Sequence, residues 1–413
     1  MITKEEILSV ATASELLATT VEKDYALSWI LYGMSKHPAL SEWVFKGGTC
    51  LKKCYFETYR FSEDLDFTVP PTSIYTQSEI KNALDEVANA VYEEAGIDFK
   101  VQEIEVKESI NKKNLKTFLA KMTYNGPLDL PRKSLQRIKF DITNDEVIVD
   151  APDSRDVFNG YSDAPQPPAK VNCYSINEIL AEKTRAMYER QGRARDIYDV
   201  VNISRNFRNK IDIQKAKTCL KEKFRFKALP EPTVDLIFLN IEHDLLIANW
   251  ENQLKHQLQA LPPAESFYND LRNALSWWIE EIDLAPALAP ISQPGQEEVI
   301  PPIHFPEWQA QLRLGIGQRV SPTTLLGRST IHLDHIRFAA RNRLCIEINY
   351  HNVSRLVEPY SLRRPRTGNL LLYVYELRRG SAWGGGIKAY KVSEITNTIL
   401  TQQAFNPRYI IEL

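Results

Sequence analysis

Hydrophobic and polar positions change their period several times along the first 150 residues. Apolar residues recur every three or four positions in some stretches, which predicts amphipathic helices, and alternate with polar residues in others, which predicts strands. The predicted helices cover residues 4–19, 23–36, 49–58 and 77–95. The predicted strands cover residues 43–45, 64–69, 98–106, 115–124 and 137–143. We therefore expect an α+β fold in which helices flank a sheet of mainly antiparallel strands.

The pattern becomes helical at Ser175. The run from Ser175 to Glu178 is a capping box, in which the serine hydroxyl and the glutamate carboxylate satisfy reciprocal backbone donors at a helix start. Further helical segments are predicted over residues 211–222, 233–258 and 264–282. We expect a helical subdomain over residues 171–284, following a core of residues 1–170.

A proline-rich stretch follows the helical segments. Residues 285–306 contain six prolines and no helical period, a composition that favours an extended, semi-rigid linker. Beyond it, residues 336–350 begin as a helix and pass into an alternating strand. Further strands are predicted over residues 355–362, 368–376 and 387–392, with a closing turn at 395–398. Short strands with frequent turns indicate a small all-β barrel over residues 307–413.

Composition and length agree with a multidomain globular protein. The 413 residues exceed one ordinary hydrophobic core, and 43% apolar with 25% charged residues is a common balance. The five cysteines are scattered and odd in number, which favours a reducing compartment over a disulfide framework. The sequence shows neither a secretory leader nor an apolar run of about 20 residues. These features predict a cytoplasmic location without a membrane partner.

Charge is distributed unevenly along the chain. From Glu307 onward there are 15 basic and 7 acidic residues, whereas residues 1–306 contain 36 basic and 46 acidic residues. The excess of positive charge at the C-terminal end predicts contact with phosphate or another anion there.

The candidate chemistry lies in two short motifs separated by a helix-length spacer. Gly47, Gly48 and Thr49 follow a short strand, and Asp64 and Asp66 lie two residues apart on the next strand. Glycines let the backbone approach phosphate oxygens, and N–H groups at a helix start favour anions. Two carboxylates on one face of a strand suit Mg²⁺ or Mn²⁺ bound against a nucleoside triphosphate. The alternative is a hairpin turn followed by a solvated strand end.

These motifs resemble those of the AbiEii/AbiGii nucleotidyltransferase toxins, a branch of the DNA polymerase β-like nucleotidyltransferases. The resemblance is carried by residues 46–53 and 60–67, and again by residues 181–186 and 193–199. It extends from residue 1 to about 284. It implies a nucleotidyltransferase core over residues 1–170, the helical subdomain described above, and transfer of a nucleotide from an NTP to an acceptor hydroxyl.

The resemblance also suggests roles for individual residues. It places Ser62 close to the active site, a lysine at position 183 facing the nucleotide, and a catalytic aspartate at position 196. A third metal-binding carboxylate is expected on a neighbouring strand, and Asp141 is the best candidate. Each has an ordinary alternative. Ser62 could cap a turn, Lys183 could lie on a solvated helix face, Asp196 could be a helix N-terminal charge and Asp141 an edge-strand charge facing water.

A zinc half-site was a further candidate. Cys50 and Cys54 are spaced i, i+4 on the helix predicted after the glycines. A second Cys or His pair with ligand-like spacing is absent from the sequence, which argues against zinc.

The strand order after residue 306 resembles the WYL domain, an Sm/SH3-like barrel attached to effectors and repressors. This chain has Leu371-Leu372-Tyr373 in place of the namesake Trp-Tyr-Leu. The resemblance implies binding of nucleic acid or a nucleotide-like ligand through basic and aromatic side chains. The candidates are Arg343, Tyr350, Arg355, Arg363, Arg364 and Arg366. The cluster 363–366 could be an anion site, but a loop with three arginines is more often solvated. Residues 380–386 are predicted to form a hairpin tip, whose Trp383 could stack on a base or equally pack onto the barrel.

Two functions from different classes follow. The first is a metal-dependent nucleotidyltransferase that acts as a toxin or anti-phage effector in abortive infection. Its acceptor would be RNA, with a tRNA 3′ end favoured over a protein, and a cognate antitoxin would be its partner. The second is a non-catalytic regulatory protein that binds nucleic acid or nucleotides. Carboxylates of Asp64 and Asp66 that face apart would favour the second.

Overall fold

The computed structural model describes residues 1–56, 60–110, 115–284, 287–291, 298–299, 328–365 and 368–413. They form two compact units. The first contains Met1–Glu189 and Lys210–Thr233. The second contains Arg190–Asn209 and the described parts of Val234–Gln311 and Arg319–Leu413. This division crosses the predicted domain bounds at residues 170 and 284, and most of the predicted linker lies outside the described residues.

The first unit is a mixed α/β structure built on one sheet. Its helices are α1 (Lys4–Ala13), α2 (Ala18–Lys36), α3 (Gly47–Cys50), α4 (Gln77–Ala95), α5 (Ile176–Glu189) and α7 (Ile213–Phe226). Its strands are β1 (Val44–Lys46), β2 (Asp64–Thr68), β3 (Glu105–Ile110), β4 (Lys116–Thr123), β5 (Arg137–Thr143), β6 (Asp153–Asp156) and β7 (Lys170–Cys173). The strand order is β3-β4-β5-β2-β1-β7-β6. The β2–β5 and β1–β7 pairs are parallel and the other pairs are antiparallel.

Helix α4 has both a capping residue at each end and a clear apolar period, and its bounds agree with the prediction. The Thr76 hydroxyl accepts a hydrogen bond from the Glu79 N–H at 3.3 Å, and Gly96 ends the helix in the left-handed region. Its apolar residues are buried along one face, where α4 packs on α2. The prediction of residues 77–95 is therefore confirmed, as is strand β5.

Other local predictions were wrong. The strand expected over residues 98–106 is displaced, because Ile97, Phe99 and Ile104 are buried in an irregular segment and the ladder begins at Glu105. Strands β6 and β7 were not predicted, since four residues give too short a period to recognise. The capping box is only half formed. Ser175 caps α5, but the Glu178 carboxylate accepts from the N–H groups of residues 149 and 150.

The second unit combines helices with a separate β-sheet. Its helices are α6 (Ala194–Asn206), α8 (Val234–Leu239), α9 (His243–Leu254), α10 (Ala264–Ile279) and α11 (Arg328–Asn342). Its strands are β8 (Glu298–Val299), β9 (Leu344–Tyr350), β10 (Val353–Arg364), β11 (Leu371–Arg379), β12 (Ala382–Lys391) and β13 (Ile395–Ala404). The strand order is β12-β11-β10-β9-β13, with β8 paired to β10.

This sheet confirms a C-terminal all-β region but not its closure. Pairing between the terminal strands β12 and β13 is not found in the described ladder, so a closed barrel is not observed there. The turn predicted at residues 395–398 is wrong, because β13 starts at Ile395 and pairs with β9. The predicted hairpin tip is also shorter, since β12 already begins at Ala382. In the described parts of the chain, no helix combines the length and apolar character needed to cross a membrane.

Candidate active site

The glycine motif forms a turn that leads directly from strand β1 into a helix. Gly47 has a φ of +80°, which favours glycine, and opens α3. The helix continues as a π-helical turn over Leu51–Tyr55. The predicted helix of residues 49–58 therefore starts two residues earlier and ends earlier.

The two aspartates of the second motif lie on one face of strand β2. Leu65 and Phe67 point into the core, while Asp64 and Asp66 are partly exposed on the opposite face. Side chains two residues apart on a strand are separated by about 7 Å. The two carboxylates therefore lie on the same face. Carboxylates facing apart would have favoured a non-catalytic protein.

Strand register brings a third carboxylate and a lysine into line with Asp66. Asp66 is paired with Lys46 of β1 on one side and with Asp141 of β5 on the other. Residues paired across a sheet point to the same face. In β5 the apolar residues are buried and Asp141 is on the exposed face. The row Lys46–Asp66–Asp141, with Asp64 beside it, is the centre of the candidate site.

The charges of this row change the ionisation of the Asp66 carboxyl. Burial raises the pKa of the Asp66 carboxyl to about 6. Lys46 and Lys183 oppose this rise, whereas Asp141 and Asp64 add to it. Both lysines therefore stabilise the ionised Asp66 carboxylate. For Lys183 of α5, this interaction is what connects it to the candidate site.

Lys46 belongs to the candidate site by its position, although the sequence interpretation gave it no role. Its side chain is buried and its Nζ lies 3.6 Å from a Glu182 carboxylate oxygen. Burial alone would lower the pKa of Lys46, but Glu182, Glu146 and the two site aspartates raise it above its ordinary value. Lys46 therefore stays charged beside Asp66. Its position next to Gly47 was the available signal.

The glycines are required by protein contacts within the site. A Cβ added to Gly47 would lie 2.1 Å from Asp66 Oδ2. A Cβ on Gly48 would lie 2.7 Å from an Arg60 nitrogen and 3.0 Å from Ser62 Oγ. The Thr49 hydroxyl donates to the Asp64 carbonyl oxygen at 2.5 Å. The turn and the carboxylate strand are thus packed against each other, and Ser62 lies beside Gly48.

Substitution of Gly47 should show how much the site depends on this packing. Gly47→Ala is expected to reduce nucleotide transfer by about 100-fold, because the new methyl group must displace the Asp66 carboxylate. The positive φ should add about 1–2 kcal/mol of destabilisation. Activity assays and chemical denaturation measure the two effects.

The matched control for this variant is Gly96→Ala. Gly96 also has a positive φ, of +72°, but an added Cβ would meet only Met1 Cβ at 4.0 Å. This variant should lower the free energy of unfolding by a similar amount, because the positive φ is the same kind of strain, but it should keep full activity. Equal activities of the two variants would show that the Gly47–Asp66 contact is unimportant.

Asp196, the other predicted catalytic residue, belongs to the second unit. It lies in the first turn of α6, is buried, and its carboxylate accepts a hydrogen bond from Arg190 at 3.3 Å. This placement matches the ordinary role of a helix N-terminal charge. Its catalytic role stays a prediction.

The cysteine pair considered as a zinc half-site lies close to a third cysteine. Cys50 and Cys54 lie with Cys173 of β7 in a buried cluster whose sulfur atoms are all within 4.8 Å of one another. In the described residues, no further His, Cys, Asp or Glu joins this group.

Most basic candidates of the C-terminal region are engaged in internal contacts. Arg355 pairs with Glu376 at 2.9 Å, and the fully buried Arg363 pairs with Glu412 at 3.1 Å. The Tyr350 hydroxyl donates to Glu394 at 2.5 Å. The interpretation of residues 363–366 as a solvated loop is wrong at Arg363, which lies inside strand β10. Arg364 is exposed at the end of that strand, and Arg366 lies outside the described residues.

Arg343 instead lines a polar pocket of about 380 Å³ in the second unit. Arg205 and Arg208 share this pocket, and Arg205 and Arg343 both pair with Asp270. Burial and the neighbouring Arg343 lower the pKa of Arg205 to about 10. Arg205 and Arg208 carried no signal in the sequence, since they lie on or near α6, far from Arg343 along the chain.

Comparison with known proteins gave one family and a similar solved structure. The family described as "Nucleotidyl transferase AbiEii toxin, Type IV TA system" matches residues 29–280. A solved structure of MenT4, a nucleotidyltransferase toxin from Mycobacterium tuberculosis H37Rv, is 19% identical, with a TM-score of 0.42 over 69% of this chain and 91% of that chain. A search of curated proteins found no match. Because the family match covers more than half of the sequence, the chain belongs to the AbiEii nucleotidyl transferase toxin family and is a nucleotidyltransferase.

Proposed function

We propose that this enzyme transfers a nucleotide from an NTP to a hydroxyl of an RNA acceptor, a tRNA 3′ end above all. In this proposal it acts in the cytoplasm as a toxin and anti-phage effector, and a cognate antitoxin restrains it. The observation that carries the proposal is the Lys46–Asp66–Asp141 row packed against Gly47. It supplies an anionic centre for a metal beside cationic groups for phosphate.

The residues of the row fit Mg²⁺ or Mn²⁺. Asp64, Asp66 and Asp141 offer only oxygen donors on one sheet face, which these hard cations prefer. Burial and the neighbouring carboxylates raise the pKa of Asp66, and a cation bound beside it would favour its ionised form. A bound divalent cation would neutralise charge on the triphosphate and favour in-line displacement at the α-phosphorus.

The side chains around the row have separate tasks in this mechanism. Backbone N–H groups of Gly47, Gly48 and Thr49 would hold the β- and γ-phosphates, because the first N–H groups of a helix lack intrahelical partners. Lys46 and Lys183 would offset phosphate charge, and Ser62 would contribute a hydroxyl beside Gly48. Asp141 would orient the acceptor hydroxyl as it attacks and pyrophosphate leaves. Positioning and electrostatics would supply most of the acceleration.

An RNA acceptor is favoured by the charges beside the row. Lys139 of β5 is paired in register with Asp64 and with Lys121 of β4. Lys139 is exposed and Lys121 partly exposed, on the same face as the carboxylates. Cations at this position suit a phosphodiester backbone better than a protein hydroxyl.

Incubation with labelled nucleotides tests the proposed reaction. The purified enzyme is mixed with each labelled NTP, Mg²⁺ and either total tRNA or a protein extract. We expect label at tRNA 3′ ends and its loss with EDTA, whereas periodate-oxidised tRNA, which lacks a 3′-terminal diol, should stay unlabelled. Label on protein alone would refute the RNA acceptor, and label that persists in EDTA would refute the metal assignment.

We further propose that the C-terminal sheet is a WYL-like domain, completed as an Sm/SH3-like barrel, that senses a nucleotide or nucleic acid. The support is the positive charge of this region and the arginine-lined pocket that contains Arg343. Arg364 would add to the basic groups of this region, and the role of Arg366, which lies outside the described residues, stays a sequence-based prediction. The internal pairs of Arg355, Arg363 and Tyr350 would hold the sheet in shape.

Arg208 and Arg343 provide a test of the pocket. Loss of one charge-assisted hydrogen bond costs about 1.5–3 kcal/mol, so each alanine variant should weaken nucleotide affinity about tenfold or more. Calorimetric titration with ATP and no divalent cation, in an Asp66→Asn background, separates this pocket from the catalytic site. Arg272→Ala is the control, because Arg272 is exposed on α10 and pairs with Asp235 outside the pocket lining. An unchanged affinity in both pocket variants would refute ligand binding there.

A further inference from the structure

Three cysteines meet next to the glycine motif: Cys50 and Cys54, which follow it directly, and Cys173, more than a hundred residues later in the sequence. Cys50 is the last residue of α3, Cys54 lies in the following π-helical turn, and Cys173 is the last residue of β7. Their sulfur atoms lie within 4.8 Å of one another, and all three residues are buried. All of them are free thiols.

Local backbone geometry produces this convergence. The π-helical turn over Leu51–Tyr55 is an uncommon conformation, and such turns occur frequently at functional sites. Here it contains Cys54 and brings its thiol beside that of Cys50. Cys173 joins them because β7 pairs with β1, with Phe45 opposite Cys173 in the register. The cluster therefore connects the helix after Gly47 and Thr49 to the sheet.

The surroundings can support thiolates. Arg155 donates through Nε to the Cys54 carbonyl oxygen at 2.8 Å, and its guanidinium lies 4.2 Å from the Tyr55 ring centroid. A divalent cation with three thiolates carries one negative charge, and Arg155, which also pairs with Asp153 at 3.7 Å, supplies positive charge beside it. The Tyr55 hydroxyl is 3.8 Å from Cys173 Sγ and provides an oxygen next to the cluster.

We propose that Cys50, Cys54 and Cys173 together bind one thiophilic cation, with Zn²⁺ as the expected occupant. Thiolates are preferred ligands of Zn²⁺, and binding would release the thiol protons to solvent. The ion would link α3 to β7 and so restrict the movement of Gly47–Thr49, which belong to α3. This site is separate from the Asp64, Asp66 and Asp141 centre, which has only oxygen ligands.

Metal analysis of the full-length protein tests this site. Protein purified without chelators, from cells grown with added zinc, is expected to contain about one zinc per chain by elemental mass spectrometry, since structural sites bind tightly. Cys54→Ser and Cys173→Ser should lose this zinc. Cys219→Ser and Cys345→Ser are matched controls, because both cysteines are buried but lie outside the cluster, and should retain it. Asp66→Asn should also retain it, which separates the cluster from the catalytic centre.

A second measurement does not depend on the variants folding. Titration of the wild-type apoprotein with Co²⁺ should produce thiolate-to-cobalt charge-transfer absorption that one equivalent of Zn²⁺ abolishes. Zinc-free protein without these bands would overturn the proposal. Equal zinc in Cys173→Ser and Cys219→Ser would also overturn it.

Discussion

Asp66→Asn is expected to lower the rate of nucleotide transfer by about 10³-fold or more, equivalent to about 4 kcal/mol of transition-state stabilisation. Asparagine has the same shape as aspartate, so it should keep the contact with Gly47 and the register with Lys46 and Asp141. It removes the negative charge at the centre of the row, where a divalent cation would bind. Label incorporation from NTP into the acceptor measures the effect, and the fold is checked by circular dichroism.

The control variant is Asp156→Asn. Asp156 lies on β6 of the same sheet, is exposed, and forms a distant ion pair with Lys170 at 4.0 Å. It should retain wild-type activity, because an exposed pair of this kind contributes little. An Asp66→Asn enzyme within tenfold of wild type would show that Asp66 does not bind the catalytic metal.

The sequence predicted the elements of this site better than their arrangement. Alternation in β2 and β5 was clear, because apolar side chains in both strands face one core. The face shared by Asp64 and Asp66 followed from strand periodicity alone. The pairing of Asp66 with Asp141 did not, since register depends on contacts between strands far apart in sequence.

Residues whose role depends on tertiary contacts were the hardest to interpret. Lys46 looked like part of a motif, but its role comes from the carboxylates that surround it in space. Arg363 looked like a solvated arginine until strand β10 placed it in the interior beside Glu412. Cys173 carried no signal, because its neighbours Cys50 and Cys54 are more than a hundred residues away in sequence.

A buried ion network under the site suggests the second large effect. Asp24 of α2 accepts a hydrogen bond from Lys53 at 2.7 Å and lies 3.6 Å from Lys52. Both lysines belong to the turn after the glycine motif, and Tyr161 donates to the same carboxylate at 3.1 Å. Burial alone would raise the pKa of Asp24, but the two lysines hold it below its ordinary value. The network therefore stabilises the fold at neutral pH, and this contribution is lost as the pH falls below about 3.8.

Asp24→Ala should consequently destabilise the protein by about 3–5 kcal/mol, because it leaves two buried ammonium groups without their carboxylate. Chemical denaturation at pH 7 measures the loss, and the difference from wild type should shrink in acid as the Asp24 carboxyl is protonated. Glu86→Ala is the control, since Glu86 is 70% exposed where it pairs with His37 and should cost less than about 1 kcal/mol. A loss below about 1 kcal/mol in Asp24→Ala would mean that water or other groups solvate Lys52 and Lys53. A large loss would instead show that the π-helical turn after the glycine motif is held to α2 through charge.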